Sequence, residues 1–284
     1  MQHNETCTPS NSIKLAGAAW SWVGATLAES AAIYRALGVD ALDLIAVPGS
    51  RFDTYQLAAD PRGQARRLTD LGVALSNLLV FFGTDFRDRA LNSHDSTVRS
   101  NNLETFRRVL EFCAAAGFYS VTVLPGVEQH PFSRKEALKW TAIELSRMNE
   151  LAKDAGVLLV YEPHVQSILE NPHDVLKFAR ENSDVKLVID YSHAVSLGHT
   201  SNELDPLVPY AGHVHLRQAA PDKIQARWEE GVIDFPAFVG LLKQIGYQGY
   251  LTLEYEHDKF WNMDRCDVMA ETIKMRDVVL PCLC

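Results

Sequence analysis

The chain has 284 residues, of which 47% are hydrophobic and 22% are charged, and its formal net charge is −9. This length and composition predict a single domain over residues 1–284 with a large buried core, and they exclude a disordered chain. The acidic balance disfavours nucleic acid as a partner, because proteins that hold phosphates usually present a basic face.

Neither a membrane segment nor an export signal is predicted. No apolar run approaches the roughly 20 residues of a membrane-spanning helix. Residues 1–11 are polar and lack the basic and apolar parts of a signal peptide, so we predict a flexible N-terminal tail. The cysteines number 5, and an odd count argues against a disulfide framework. These features predict a cytoplasmic protein with no membrane partner.

Short β-rich runs alternate with segments of helical periodicity, a pattern typical of a parallel sheet wrapped by helices. Strands are predicted at 13–18, 41–45, 74–81, 120–124, 157–162, 186–190, 213–217 and 250–254. Helices are predicted at 103–116, 133–155, 171–182 and 234–245, with an extra C-terminal helix at 264–279. The pattern predicts an α/β protein that forms a single (β/α)₈ barrel. A doubly wound open sheet is the alternative, but no G-x-G-x-x-G stretch follows the first strand.

The last four predicted strands end in residues that can bind a metal. In a (β/α)₈ barrel the functional site lies at the C-terminal ends of the strands. Those four strands carry Glu162, Asp190, His215 and Glu254 directly after apolar residues. Taken alone, each of these residues is compatible with an ordinary hydrogen-bonded polar residue at a strand end. Three carboxylates buried together, however, need a cation to compensate their charge. We therefore predict one divalent ion, with Mn²⁺ expected and Mg²⁺, Co²⁺ or Zn²⁺ as alternatives. His213 faces the same side as His215 but lies deeper, where a structural role is expected.

Several short motifs surround these strand ends. They are Tyr161-Glu162-Pro163, Asp190-x-x-His193, His213-x-His215, Glu230-Gly231-Val232-Ile233-Asp234-Phe235 and Gly246-Tyr247-x-Gly249-Tyr250, which leads into Glu254. Together they resemble the xylose isomerase-like TIM-barrel superfamily, which includes sugar phosphate isomerases and epimerases and the AP endonuclease family 2 fold. The resemblance covers most of the chain, and its motifs are specific for the superfamily rather than for one activity.

The resemblance implies a function and a role for each residue. From the single-metal epimerases, it implies that Glu162, Asp190, His215 and Glu254 ligate the metal. It implies that Glu162 and Glu254 are the catalytic acid/base pair, and that His193 and Arg217 contact substrate oxygens. The implied activity is a sugar isomerase or epimerase that removes a proton next to a carbonyl through an enediolate. A lyase or dehydratase acting on a keto-sugar, keto-glycoside or keto-acid is the alternative, and a non-catalytic barrel is a further one.

Other residues near these strands are candidates for binding the substrate. Trp20 ends the first strand and can stack on a sugar ring, although core packing is an equal alternative. Gln225 and Arg227 follow the seventh strand and offer donors for a phosphate or carboxylate; for Arg227, and for Lys223 in the same segment, a solvated loop is the alternative. Many members of the superfamily associate through barrel helices, so a homo-oligomer stays open.

The sequence departs from two subgroups of the superfamily. Endonuclease IV needs further histidines on its early strands, whereas the early strands here end in 77–82 and 124–126 without one. This difference disfavours DNA as a substrate. The run Arg217-Gln218-Ala219-Ala220 also differs from the glutamate-containing segment of free-ketose epimerases, so the identity of the sugar and its phosphorylation stay open.

Overall fold

The computed structural model describes residues 13–283, so the predicted tail at residues 1–11 lies outside the described residues. Parallel strands form a closed barrel in chain order, and the last strand pairs with the first. The strands are β1 Lys14–Ala18, β2 Ala41–Ala46, β3 Ala74–Val80, β4 Ser120–Val123, β5 Leu158–Tyr161, β6 Lys186–Ile189, β7 Ala211–Leu216 and β8 Tyr250–Leu253. The prediction of a (β/α)₈ barrel is confirmed, and each predicted strand lies within about two residues of an observed one.

The helices cover the outside of this barrel. They are α1 Leu27–Ala36, α2 Thr54–Ala59, α3 Pro61–Arg66, α4 Ser96–Ala116, α5 Arg134–Ala155, α6 Pro172–Glu181, α7 Tyr191–Ser196, α8 Ser201–Leu204, α9 Phe235–Gln244 and α10 Val268–Cys282. The predicted helices correspond to α4, α5, α6, α9 and α10. In the described part of the chain, every helix is too short or too polar to cross a lipid bilayer.

Capping residues set the ends of these helices. The Ser133 hydroxyl accepts the N–H of Glu136 at 3.3 Å and begins α5, which ends at Gly156 with a φ of +70°. Helix α4 begins seven residues before its predicted start, because the Asp95 carboxylate accepts the N–H of Thr97 at 2.7 Å. Asp267 caps α10 by accepting the N–H of Ala270 at 3.0 Å, so the helix begins later than predicted.

One close contact joins the barrel to α1 and gives a test of the packing. A Cβ atom added at Gly17 would lie 2.2 Å from Cε1 of Tyr34, which is fully buried and donates a hydrogen bond to the Ala18 carbonyl. Gly17→Ala is therefore expected to lower the free energy of unfolding by about 1–3 kcal/mol in urea denaturation. Gly240→Ala is the control, because nothing lies within 4 Å of its Cβ position on α9, and it should be neutral or stabilising. Equal effects of both substitutions would contradict this account of the contact.

Candidate metal centre and active site

The side chains predicted as metal ligands meet at the C-terminal rim of the barrel. Glu162 follows β5, and its N–H extends the strand ladder to the Val123 carbonyl at 3.2 Å. Glu254 follows β8 in the same way, with its N–H bonded to the Leu216 carbonyl at 3.0 Å. His215 lies within β7. Because all the strands of the barrel are parallel, their C-terminal ends share one rim and bring these side chains together.

Asp190 joins this group from the end of β6. One of its oxygens, Oδ1, accepts the N–H of Ser192 at 2.8 Å and caps α7. Its other oxygen, Oδ2, faces the site. Ligand atoms of Asp190, Glu162 and His215 all lie within 4.8 Å of one another. The Nδ1 atom of His215 is 3.0 Å from Oε1 of Glu162 and 3.3 Å from Oε2 of Glu254. These separations fit side chains that share one small ion.

The electrostatics of the rim also fit a cation. Burial and the neighbouring carboxylates of Glu256 and Asp190 raise the pKa of Glu254 well above its ordinary value. Arg217 and His215 lower that pKa, but their effect is smaller. Its buried Oε2 atom has no hydrogen-bond partner. Burial alone would lower the pKa of His215, but Glu254 and Glu162 outweigh burial and raise that pKa well above normal. Both raised pKa values favour the protonated forms, and a bound divalent ion would offset the same negative charge in place of those protons.

A second group of buried polar side chains lies directly beneath the rim. The Oδ2 atom of Asp43 accepts hydrogen bonds from Nε2 of His213 at 2.7 Å, Nε2 of His215 at 3.1 Å and Oγ1 of Thr252 at 3.1 Å. Its Oδ1 atom accepts one from Nδ2 of Asn77 at 3.0 Å. His213 and His215 lower the pKa of Asp43 far below its usual value although burial opposes them. The sequence prediction had overlooked Asp43, and the only signal was a carboxylate within an otherwise apolar strand.

Two groups of three residues are thus close enough to share an ion. One is the rim group of Glu162, Asp190 and His215, and the other consists of Asp43, His213 and His215. We favour the rim because the oxygens of Asp43 already accept four hydrogen bonds. With a metal bound, the hydrogen bond to Asp43 would hold the remaining His215 proton on Nε2 and leave Nδ1, which lies 3.0 Å from Glu162, to bind the ion. A carboxylate that orients a histidine in this way is typical of metal sites.

His193 and Arg217, for which the resemblance implies contacts with substrate oxygens, lie beside the rim. His193 projects from α7, and its Nε2 atom is 3.5 Å from Oδ2 of Asp190. Arg217 is buried and donates to Oγ of Ser192 at 2.8 Å, to Oδ2 of Asp190 at 2.9 Å and to Oε1 of Glu256 at 2.7 Å. Most of the hydrogen-bonding capacity of Arg217 is therefore used within the protein. Whether it contacts substrate oxygens stays a prediction.

A cleft of about 230 Å³ opens beside these residues. Its walls carry the aromatic side chains Trp20, Phe81, Phe86 and Trp261 together with Glu162, Glu254, His164, His193 and Arg217. Trp20 packs edge-on against His215, with ring centroids 6.1 Å apart. The loop residues Phe86 and Trp261 were not predicted for the site, because no periodicity marks a residue in an irregular loop.

Gln225 and Arg227 do not line this cleft. The side-chain N–H₂ of Gln225 donates to the carbonyls of Glu256 and Met263, each at 2.8 Å, and its oxygen accepts the N–H of Glu256. Gln225 therefore connects its own loop to the segment that contains Glu256 and Met263 by hydrogen bonds. Arg227 is exposed and precedes a short 3₁₀ turn. The structure thus separates two of the predicted substrate-binding residues from the cleft.

The sequence and the fold of the chain are similar to those of known proteins. A family model described as a xylose isomerase-like TIM barrel matches residues 31–277. The chain belongs to this family. The solved structure of IolI, with a bound zinc atom, has the same fold, with a TM-score of 0.72 at 18% identity over 95% of this chain and 99% of that one.

Curated relatives include isomerases and dehydratases. An inosose isomerase of Bacillus velezensis is 24% identical over 211 residues, which cover 70% of each chain. An inosose dehydratase of Clostridium perfringens is 27% identical over 145 residues, which cover 44% of this chain. The chain spans about half the length of that dehydratase, 49%. The names of these relatives describe related activities on a similar compound.

Proposed function

We propose that this xylose isomerase-like protein is a divalent-metal-dependent isomerase or epimerase of a sugar or sugar-like polyol. The observation that carries the proposal is the convergence of Glu162, Asp190, His215 and Glu254 on one edge of an open cleft. Three buried carboxylates and an imidazole form a ligand set for a hard or borderline divalent ion. The similarity to an inosose isomerase supports the choice of reaction.

The rim residues would hold the metal. When bound, the metal would make the C–H next to a substrate carbonyl more acidic and stabilise the negative charge that develops on oxygen. We expect Mn²⁺ because the donors are mainly carboxylate oxygens, and the zinc in IolI shows what a structural neighbour accommodates. Glu162, Asp190, His215 and Glu254 supply the donor atoms, and Asp43 holds the ring of His215 in place.

Glu162 and Glu254 are the acid/base pair in this proposal. Both carboxylates line the cleft, and both approach Nδ1 of His215, from β5 and β8, which are not neighbouring strands. Burial opposes ionisation of Glu162, but His215 and His193 lower its pKa, whereas burial raises that of Glu254. Such separated pKa values are typical of a base and its partner acid. One carboxylate removes the proton from carbon, and the other returns a proton to the opposite face or the adjacent carbon.

A dehydratase is the second candidate, and the similarity to an inosose dehydratase favours it. The first step would be the same removal of a proton by a glutamate. The carbanion would then expel a hydroxyl group from the neighbouring carbon, and the other carboxyl would protonate the leaving oxygen as water departs. The two candidates differ in product mass, because only dehydration lowers it.

The experiment combines metal analysis with proton exchange. Purified protein, reloaded with Mn²⁺ and freed of excess, should contain about one ion per chain by inductively coupled plasma mass spectrometry, as expected for one set of ligands. A panel of ketoses and inososes in D₂O should then show exchange of the α-proton by NMR, with product masses separating isomerisation from dehydration. Failure to bind any of Mn²⁺, Mg²⁺, Co²⁺ or Zn²⁺ would refute the proposal.

We further infer a cytoplasmic location. In the described part of the chain, Cys113, Cys266 and Cys282 are free thiols. Free cysteines are typical of proteins in reducing compartments. The acidic balance of the chain supports a small-molecule partner rather than nucleic acid.

A further inference from the structure

The charges on the cleft walls indicate which substrates the proposed enzyme can accept. Beyond the rim ligands, the carboxylates of Glu256 and Asp258 also line the cleft. Arg217 is the single arginine or lysine among the described lining residues. Acidic groups therefore outnumber cations even when a divalent metal is counted.

Arg217 is not available to bind an additional anion. Its Nη2 atom lies 2.9 Å from Oδ2 of Asp190 and 3.6 Å from Oε2 of Glu254, and its Nη1 atom donates to Glu256. Its Nε–H donates to Ser192. The guanidinium thus compensates the fixed carboxylates of the site. An incoming phosphate or carboxylate would have to compete with these buried partners.

The cations considered from the sequence for a phosphate lie elsewhere. The side chain of Lys223 is about half exposed, at 51%, and its Nζ atom pairs with Glu230 at 2.9 Å. Arg227 is exposed and does not line the cleft. A phosphate group in the cleft would therefore lose its hydration without gaining a lysine or arginine partner, and it would face like charges.

The other cleft walls suit an uncharged polyol. Trp20, Phe81, Phe86 and Trp261 offer flat apolar faces on which the C–H faces of a sugar ring can pack. Carboxylate oxygens accept hydrogen bonds from hydroxyl groups. His164 also lines the cleft, and its Nδ1–H donates to the Val165 carbonyl at 2.7 Å, so the lone pair is assigned to Nε2.

The Nε2 atom of His164 is buried and has no hydrogen-bond partner. An unsatisfied acceptor of this kind costs about 1–3 kcal/mol, and a substrate hydroxyl would satisfy it. The ring of Phe86 is tilted against that of His164, with centroids 4.4 Å apart, and both side chains line the cleft. The volume of about 230 Å³ is small for a ligand site and suits a single ring.

We propose that the substrate is an uncharged polyol ketone the size of one sugar ring, and that the acidic cleft excludes sugar phosphates and keto-acids. This inference rests on the proposed function, since it concerns the substrate of the same site. The fixed carboxylates of the cleft repel an anionic ligand, and the anionic group of that ligand would be buried without a lysine or arginine partner. These two effects discriminate between ligands more strongly than a small difference in shape.

The experiment compares each ketose with its own terminal phosphate ester. Metal-loaded protein is titrated with each pair while the fluorescence of tryptophan is recorded, because Trp20 and Trp261 line the cleft. Exchange of the α-proton in D₂O is measured in parallel. We expect at least one neutral ketose or inosose to bind and exchange, and its phosphate ester to be at least about 100-fold poorer, which corresponds to about 2.7 kcal/mol.

A variant that adds a positive charge to the cleft tests the electrostatic part of the inference, because the same sugar and its phosphate ester are compared in each protein. Phe86→Lys places an ammonium group on the cleft wall and should reduce the discrimination against phosphate esters, whereas Phe86→Leu, the uncharged control, should retain it. Equal or tighter binding of phosphate esters to the wild-type protein would overturn the inference and leave the proposed function intact. Preferential binding of neutral polyols without any exchange would support the inference about the ligand and contradict the proposed reaction.

Discussion

Glu254→Gln is expected to slow α-proton exchange by about 10²–10⁴-fold, the usual contribution of a general acid or base. The variant keeps the shape of the side chain but removes its negative charge and its ability to hold or release a proton. Glu254 is buried at the end of β8, 3.3 Å from Nδ1 of His215. Binding of Mn²⁺ should weaken as well, because an amide oxygen is a poorer ligand than a carboxylate. Calorimetric titration with Mn²⁺ and exchange rates at saturating metal measure the two effects separately.

Glu229→Gln provides the matched control. Glu229 is an exposed glutamate that pairs with Lys274 at 2.9 Å and does not line the cleft. The same chemical change at this position should leave metal affinity and exchange unaltered. If Glu254→Gln retained wild-type exchange at saturating Mn²⁺, Glu254 would not be a member of the acid/base pair.

Most of the barrel could be predicted from the sequence, because the strands are short β-rich runs that alternate with segments of helical periodicity. Helices α5 and α6 carry both an apolar face and recognisable caps. That the proposed ligands would lie close together could be predicted for a related reason. Parallel strands share one C-terminal edge, so polar residues that follow several strands must meet there.

The remaining features depend on contacts between distant segments. Helices α1, α2, α3, α7 and α8 are not among the predicted helices. The last four have four to six residues, which give too few turns for helical periodicity to show. In α1 the apolar residues lie all round the helix, so no single apolar stripe marks it. Gln225 was expected to bind substrate, but its partners are the backbone carbonyls of Glu256 and Met263. No local pattern in a sequence reports which backbone group a polar side chain reaches across a loop.

Asp43 shows why such contacts matter for the metal. In Asp43→Asn the amide has one acceptor oxygen instead of two. If that oxygen faces His213, His215 and Thr252, the new N–H₂ faces the N–H₂ of Asn77. Asn77 cannot rotate to accept it, because its own oxygen accepts hydrogen bonds from Ser120 and Thr122, each at 2.9 Å. At least one buried donor is then unpaired.

We therefore expect Asp43→Asn to weaken Mn²⁺ binding by about 10- to 100-fold, as for other carboxylates that orient a metal-bound histidine. The free energy of unfolding of the metal-free protein should fall by about 1–3 kcal/mol. Calorimetry with Mn²⁺ and urea denaturation without metal measure these effects. Thr252→Val is the control, because it removes one hydrogen bond to Asp43 and preserves the bond from His215. It should lower stability without a comparable loss of affinity.

The same titration tests where the ion binds. His213 donates to Asp43 but lies beneath the rim, so His213→Gln should retain Mn²⁺ binding, whereas Glu162→Gln at the rim should lose most of it. The opposite result would place the ion between Asp43, His213 and His215. Neither Glu162 nor Glu254 belongs to that group, so the acid/base pair would then have to work without a metal that its own members bind.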